Sequence, residues 1–300
     1  MRTPESGATR LERRLAVVTV GAPALGFVVA VAIAAQQGIG GLELGLLLGM
    51  YLPTAFGIEA GFHRYFSHRA FRAGPATTCL LAVLGSMAAQ GPVLFWASTH
   101  RRHHAFTDRE GDPHSPCLHG DGWRGQMRGL WHAHVGWLFA HERRDWMQFV
   151  PDLLRDPLVF RLNQHYFLWI ALGLAIPAAI GGLIAGSWQG AAGGFLWGGL
   201  VRIFLLDQAT WGVNSLAHRF GTRLHATRDN SRNLALLAFL SVGGSWHNNH
   251  HACPALARTD HRFWQIDLAG GFIELLALLG LAWDVKRAPP RGAKQQVTIE

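Results

Sequence analysis

The chain has 300 residues, 49% of them hydrophobic and 15% charged, and 27 basic against 19 acidic side chains give a net charge of +8. That excess does not point to nucleic acid, because the arginines flank long apolar runs instead of forming a basic stripe, as the positive-inside rule expects of a membrane protein. Three scattered cysteines, Cys79, Cys117 and Cys253, form no CxxC pair, which argues against a zinc ribbon and a disulfide framework.

Leu15 to Ala35 is apolar and meets the length of about 20 residues that a spanning helix needs. Arg10, Arg13 and Arg14 precede it, and no small-residue cleavage site follows. It reads as a retained signal anchor behind a cytosolic segment, residues 1–14. A second span covers about residues 41–60, with Glu43 and Glu59 near its ends, and the Gln36-Gln37-Gly38 break makes a hairpin. Arg64, Arg69 and Arg72 come next, so both basic flanks fall on the cytoplasmic side. Pro75 to Thr99 is uncharged and long enough to cross. Crossing would separate His63 and His68 from His100, so this stretch is expected to lie on the cytoplasmic face or dip into it, irregular near Gly85, Gly91 and Pro92. Leu162 to Val201 carries no formal charge and supplies two spans, about 162–184 and 190–212, turning at Gly186 to Gly190. Asn233 to Trp246 is too short to span, and Phe263 to Trp283 is broken by Asp267 and Glu274; both read as interfacial or packed helices. The expected fold is an all-α integral membrane protein with one domain over 15–284. Its four transmembrane helices form two hairpins, and a cytosolic helical cap (61–161 and 213–284) holds a two-metal site. A polar tail occupies 285–300, and both termini are cytoplasmic.

The 17 histidines are the anomaly, and they cluster. His63 and His68 form an HxxxxH, His100, His103 and His104 an HxxHH, and His247, His250 and His251 a second HxxHH, while Asn214 and His218 stand four apart. On a helix, residues i, i+3 and i+4 share a face, so each HxxHH presents three imidazoles together. His63 and His68, five apart, need a helix end or a turn between them. Imidazoles gathered in a partly buried site are costly unless a cation binds them. Imidazole suits Fe, Zn, Cu and Ni, and nine histidines with one asparagine suit two ions better than one.

At these residues the chain resembles the membrane fatty acid desaturases of the stearoyl-CoA desaturase type. The match runs from about Gly57 to Pro254 through GFHRYFSH at 61–68, HRRHH at 100–104, DPHSP at 112–116, HVGW at 134–137, NSLAH at 214–218 and HNNHH at 247–251. The longer segment from Cys117 to Trp131 is closer to bacterial members, which implies a bacterial inner membrane. The resemblance implies a di-iron centre with His63, His68, His100, His103, His104, His218, His247, His250 and His251 as ligands. Asn214 then reaches one ion through water, and Gln90, Trp96, Thr210 and Trp211 line the bend of an acyl tunnel. It implies oxygen-dependent insertion of a cis double bond, at Δ9, into a saturated acyl chain. Electrons come from a separate ferredoxin-, rubredoxin- or cytochrome b5-like donor with its reductase, docking on the basic cytoplasmic face. No His-Pro-Gly-Gly motif marks a fused cytochrome b5 domain. Ser98 and Thr99 stand where animal relatives place Arg and Asp, and His141 and Glu142 where they place Arg-Lys, positions that touch CoA in the family. The head group is therefore open between acyl-CoA, the leading choice, acyl carrier protein and a lipid-linked chain.

Outside the ligand set, Glu59 is expected to partner His63, and His114 and His134 to support the site without ligating metal. Asp108 and Asp112 orient imidazoles or cap helices. His119, His132, His141, His165, His225 and His261 read as surface or core residues. Three rival activities remain: a di-iron acyl hydroxylase, a membrane metal transporter and a zinc-dependent membrane hydrolase. A transporter would want ionisable groups along its spans, and a zinc hydrolase fewer histidines around one ion.

Overall fold

The computed structural model describes residues 10–140 and 145–288; His141, Glu142, Arg143 and Arg144, residues 1–9 of the N-terminal segment and 289–300 of the tail lie outside the described residues. Among the described residues, four helices are long and apolar enough to cross a membrane. The first, α1 (Arg10–Gln37), buries only Ala16, Pro23, Gly26 and Ala30, so most of its surface faces outward, as lipid contact requires. Gly38, at φ +77°, ends it. The second span is α2 (Gly41–Phe56) continued without a break by a π-helix, Gly57–Ser67. The other hairpin is α9 (Tyr166–Ala185), a turn at Gly186 and Ser187, and a composite helix. That helix runs from α10 (Trp188–Gly194) through a π-helical stretch, Phe195–Val201, into α11 (Arg202–Leu216). The Ser187 hydroxyl accepts the Gly190 N–H at 3.1 Å and caps the returning limb. All four spans stand near their expected places. α1 begins before Leu15, and the second and fourth helices run on past residues 60 and 212 into the polar region.

The doubtful stretch at 75–99 forms two short helices, α3 (Pro75–Met87) and α4 (Val93–Phe106). At 1.5 Å per residue neither reaches across a hydrocarbon core of about 30 Å. Ala89 and Gly91 take positive φ between them, and Pro92 starts α4. α3 crosses the second span closely. A Cβ on Gly57 would fall 2.2 Å from the Gly85 nitrogen, and one on Gly85 would fall 2.4 Å from the Phe62 ring. Glycine at both positions lets the two backbones touch, which sets the depth at which the π-helix emerges.

The cap follows from α5 (Trp123–Trp131), a π-helical turn (His132–Gly136), α6 (Trp137–Ala140), α7 (Pro151–Leu154), α8 (Pro157–Gln164), α12 (His247–Ala252) and α13 (Leu268–Leu278). A two-residue strand, β1 (Arg72–Ala73), pairs antiparallel with β2 (Ala282–Trp283). Lys286 then bonds Ala70 and Ala257 through its backbone, so the chain end is zipped onto the exit of the second span. The expected helix at 233–246 is absent. A single 3-10 turn (Ala235–Leu237) leads into further turns, since Ser241, Gly243, Gly244 and Ser245 favour turns over a helix and Val242 sits at φ +45°. Between Phe263 and Trp283, Asp267 begins the helix instead of breaking it: its carboxylate accepts the Gly270 N–H at 2.9 Å.

Two buried arginines hold the helices together. Arg64 is not a free flanking charge. Its side chain is 1% exposed and forms a two-pronged pair with Asp267 at 2.8 and 2.9 Å, plus a bond to the Ala257 carbonyl. Arg202, in the fourth span, donates to the carbonyls of Met87, Gly173 and Gly198 and so ties three helices together.

Candidate metal centre

The second span supplies the first pair of histidines, and its π-helix explains their spacing. A π-helix closes i→i+5 hydrogen bonds, so residues five apart lie one above the other. The His68 N–H bonds the His63 carbonyl at 3.1 Å, an i+5 link made where His68 caps the end of the π-helix, so the expected helix end does lie between the pair. α4 carries His100, His103 and His104 on one face, and His218 follows the end of α11. The six-residue α12 carries His247, His250 and His251. So short a helix is not stable alone; its own asparagines brace it. Asn249 donates to the Thr259 carbonyl and the Gln265 amide oxygen, and its backbone N–H bonds Asn233. Asn248 accepts the N–H groups of Leu224 and His225.

All nine histidines converge, in two groups. His63, His68, His100, His104 and His250 form one, and His103, His218, His247 and His251 the other, with ligand atoms within 4.8 Å of each other inside each group. α4 and α12 each feed both groups, because adjacent residues diverge about the helix axis. The pattern fits a two-metal site. His63 Nε2 lies 3.0 Å from His250 Nε2, which lies 3.0 Å from His104 Nε2. His68 and His100 meet Nε2 to Nε2 at 2.7 Å, and His218 and His247 at 3.0 Å. A neutral imidazole has one N–H and one lone pair, so these contacts cannot all be hydrogen bonds. His103 Nε2, His251 Nε2 and His247 Nδ1 are buried with no partner at all. Converging Nε2 lone pairs, with His103 and His251 Nε2 orphaned among them, are what two cations would satisfy.

Four carboxylates fix the rings from behind. The His63 Nδ1–H donates to Glu59 at 2.7 Å, His103 to Asp112 at 2.9 Å, His218 to Asp108 at 3.1 Å and His251 to Asp229 at 2.9 Å. Each fixes the tautomer that leaves Nε2 as the inward lone pair. Asp108 and Asp112 orient imidazoles and cap none of the described helices; their further bonds brace loops, Asp108 accepting the Asn230 N–H and Asp112 the N–H groups of Asp108 and His114. Asp229 went unnoticed in the sequence, where no spacing links it to a histidine motif. His134 bonds Ser215 and Gln208 on α11 and supports that helix. His114 packs on His103 with ring centroids 4.4 Å apart. The remaining described histidines, His119, His132, His165, His225 and His261, join neither group.

The protonation states suit metal binding. Burial, reinforced by the neighbouring imidazoles, holds His68, His100, His104, His247 and His250 well below the ordinary histidine range. Burial carries His251 down to about 4. Burial also opposes charge on His103, but Asp112 beside it wins and raises its pKa. For the six depressed rings the unfolded chain takes up protons near pH 6.5 that the fold refuses, so stability is lost as pH falls below that value; His103 acts with the opposite sign. Metal-free protein should therefore lose thermal stability from pH 7.5 to 5.5, by up to about 1.4 kcal/mol per pH unit for each unopposed ring. A melting temperature that holds or rises on acidification would contradict this. Changing Asp112 or Asp229 to Asn should weaken metal retention about 10- to 100-fold with the fold intact, read as metal left after dialysis against a chelator.

Two mostly apolar pockets, sharing four lining residues, lie against the histidine cluster. Gln90, Trp96, Thr210, Trp211, Asn214 and His100 line one pocket together with Thr19 of α1 and Trp137 and Leu138 of α6. The second pocket, sharing Trp96, His100, Thr210 and Asn214, reaches Ala55, Ile58, Leu206 and Val242. The Trp96 indole donates to Gln90 Oε1 at 3.3 Å and Gln90 Nε2 to Thr210 Oγ1 at 3.0 Å, a chain of bonds on the wall of the first. Asn214 lines both pockets, together with His100. Ser98 is turned inward onto the Trp146 carbonyl at 2.9 Å.

Residues 42–270 match the model of the fatty acid desaturase family. The chain is 47% identical over 266 residues to a hex-5-enoyl-[acyl-carrier protein] acetylenase of Moorena producens, covering 88% of this chain and 83% of that protein. It is 37% identical to an sn-1 stearoyl-lipid 9-desaturase of Anabaena variabilis, over 81% of this chain and 83% of the relative. A probable acyl-CoA desaturase of Schizosaccharomyces pombe is 35% identical over 80% of this chain and 48% of its own length. Four apolar spans, two converging histidine groups and a family match over most of the chain agree, and the protein belongs to the fatty acid desaturase family, oxidoreductases of membrane lipid metabolism.

Proposed function

We propose that the chain is an oxygen-dependent acyl desaturase that places a cis double bond at Δ9 in a saturated acyl chain, with two iron ions on its nine histidines. The observation that carries this reading is the pair of mostly apolar pockets that share Trp96, His100, Thr210 and Asn214 beside the histidine cluster, with the Trp96–Gln90–Thr210 bonds on the wall of the first. Bound there, the iron pair would supply oxygen activation: with two electrons and two protons, O2 takes two hydrogens from adjacent methylenes and leaves as two waters. The chain's own residues do the rest. Glu59, Asp108, Asp112 and Asp229 keep imidazole lone pairs facing inward. Gln90 and Thr210 hold the bend that selects one carbon pair, the apolar walls exclude bulk water, and Asn214 is placed to hold a water beside the centre. Electrons come from a separate ferredoxin-, rubredoxin- or cytochrome b5-like protein on the cytoplasmic side of a bacterial inner membrane, the side of the cap and both termini. Asp207 and Arg202 are buried in the fourth span and packed among helices, not strung along an open path, which speaks against metal transport.

Acyl-CoA is the head group implied by family resemblance. One observation favours acyl carrier protein as a second reading: the 47% identical relative is named for a carrier-bound substrate. Fatty acid profiling in a host that lacks its own desaturase tests the reaction, and purified enzyme offered stearoyl-CoA or stearoyl-carrier protein tests the head group. A new cis-monoene is expected; a hydroxylated or triple-bonded product would overturn the reading.

A further inference from the structure

α5 touches the protein with one face and leaves another bare. Gly129 is its one buried residue, seated where a Cβ would come 2.1 Å from the Pro116 carbonyl oxygen. Trp123, Met127 and Trp131 recur every fourth residue on another face and are 72, 59 and 66% exposed. Arg124 and Arg128, also exposed, adjoin that stripe, with the Arg124 guanidinium over the Trp123 ring at 5.3 Å. Two exposed tryptophans and a methionine in a row are an unusual surface to leave in water. The helix is also placed beside the spans. It packs on α11 and leads through His132–Gly136 into α6, whose Trp137 and Leu138 line the cavity with Thr19 of the first span.

We infer that α5 is an in-plane helix of the membrane interface: Trp123, Met127 and Trp131 enter the acyl boundary of the leaflet, and Arg124 and Arg128 contact anionic lipid phosphates. The occupant is lipid because the stripe is apolar, two arginines adjoin it to meet anionic headgroups, and the helix packs on α11 of the fourth span. Arginine next to tryptophan is the arrangement that lets a long side chain bury its stem and keep its charge at the headgroups. The helix thereby seats the cavity mouth at the headgroup level. This goes beyond the desaturase reading and does not depend on it.

The test uses the full chain in nanodiscs of phosphatidylcholine with phosphatidylglycerol. The emission difference between wild type and Trp123→Phe/Trp131→Phe isolates two of the 12 tryptophans. Brominated phosphatidylcholine should quench that difference strongly and aqueous acrylamide weakly; the reverse order overturns the proposal. Arg124→Gln/Arg128→Gln should remove the deeper quenching seen with phosphatidylglycerol over neutral lipid; an unchanged dependence overturns the phosphate contact. Protection of the same signal from acrylamide by an added acidic acyl carrier protein, with no bromolipid quenching, would assign the face to a protein and also overturn the proposal.

Discussion

A His103→Ala/His104→Ala variant, expressed in a host without its own desaturase, should yield no monoene above the host background. The two residues are adjacent in sequence but fall in different groups: His104 belongs to the five-histidine group and His103 to the four-histidine group. On the proposed two-iron reading, the double change removes a ligand from both metals. His104→Ala alone leaves the second group complete and should bind one metal where wild type binds two, and His103→Ala should do the same to the other site. Metal analysis of the three variants separates this two-site arrangement from a single shared site, where either change would cost all the metal. Monoene formation by the double variant would show that these rings do not hold the reacting centre.

The second large effect concerns stability. Asp267→Ala should destabilise the protein by up to about 3–5 kcal/mol, because Arg64 would stay buried with only the weaker contact to Glu59 at 3.3 Å as counter-charge. Asp267 also accepts the N–H groups of Thr259 and Gly270, so the start of α13 would loosen with it. Arg64→Met/Asp267→Leu removes both charges together and should recover most of the loss, since well-packed apolar replacements of buried ion pairs are often near neutral. Thermal unfolding in detergent checks both variants. A double variant no more stable than Asp267→Ala would mean that the pair's hydrogen bonds, and not its charges, hold the cap.

Much of this molecule was legible in the sequence, for physical reasons. The spans showed because lipid forces long uncharged runs, and the ligand motifs showed because i, i+3, i+4 spacing marks a helix face. The requirement that all histidines share a site predicted that residues 75–99 do not cross, and two short helices stand there. Glu59 could be paired with His63 because they are one turn apart. Asp229 could not: it reaches His251 only after the chain folds back between the fourth span and α12. Arg64 was misread because a basic residue after a span looks the same whether it faces water or a buried carboxylate 203 positions away. The missing helix at 233–246 failed on length reasoning, where glycine and serine content was the better guide.

The eleven-residue π-helix has a consequence for how this family can vary. Its wider coil spends one more residue per turn than the α form, and that surplus aligns His63 above His68. Losing or gaining one amino acid between them would put the imidazoles out of phase by about a quarter turn. Here the count of intervening residues is as constrained as their identity.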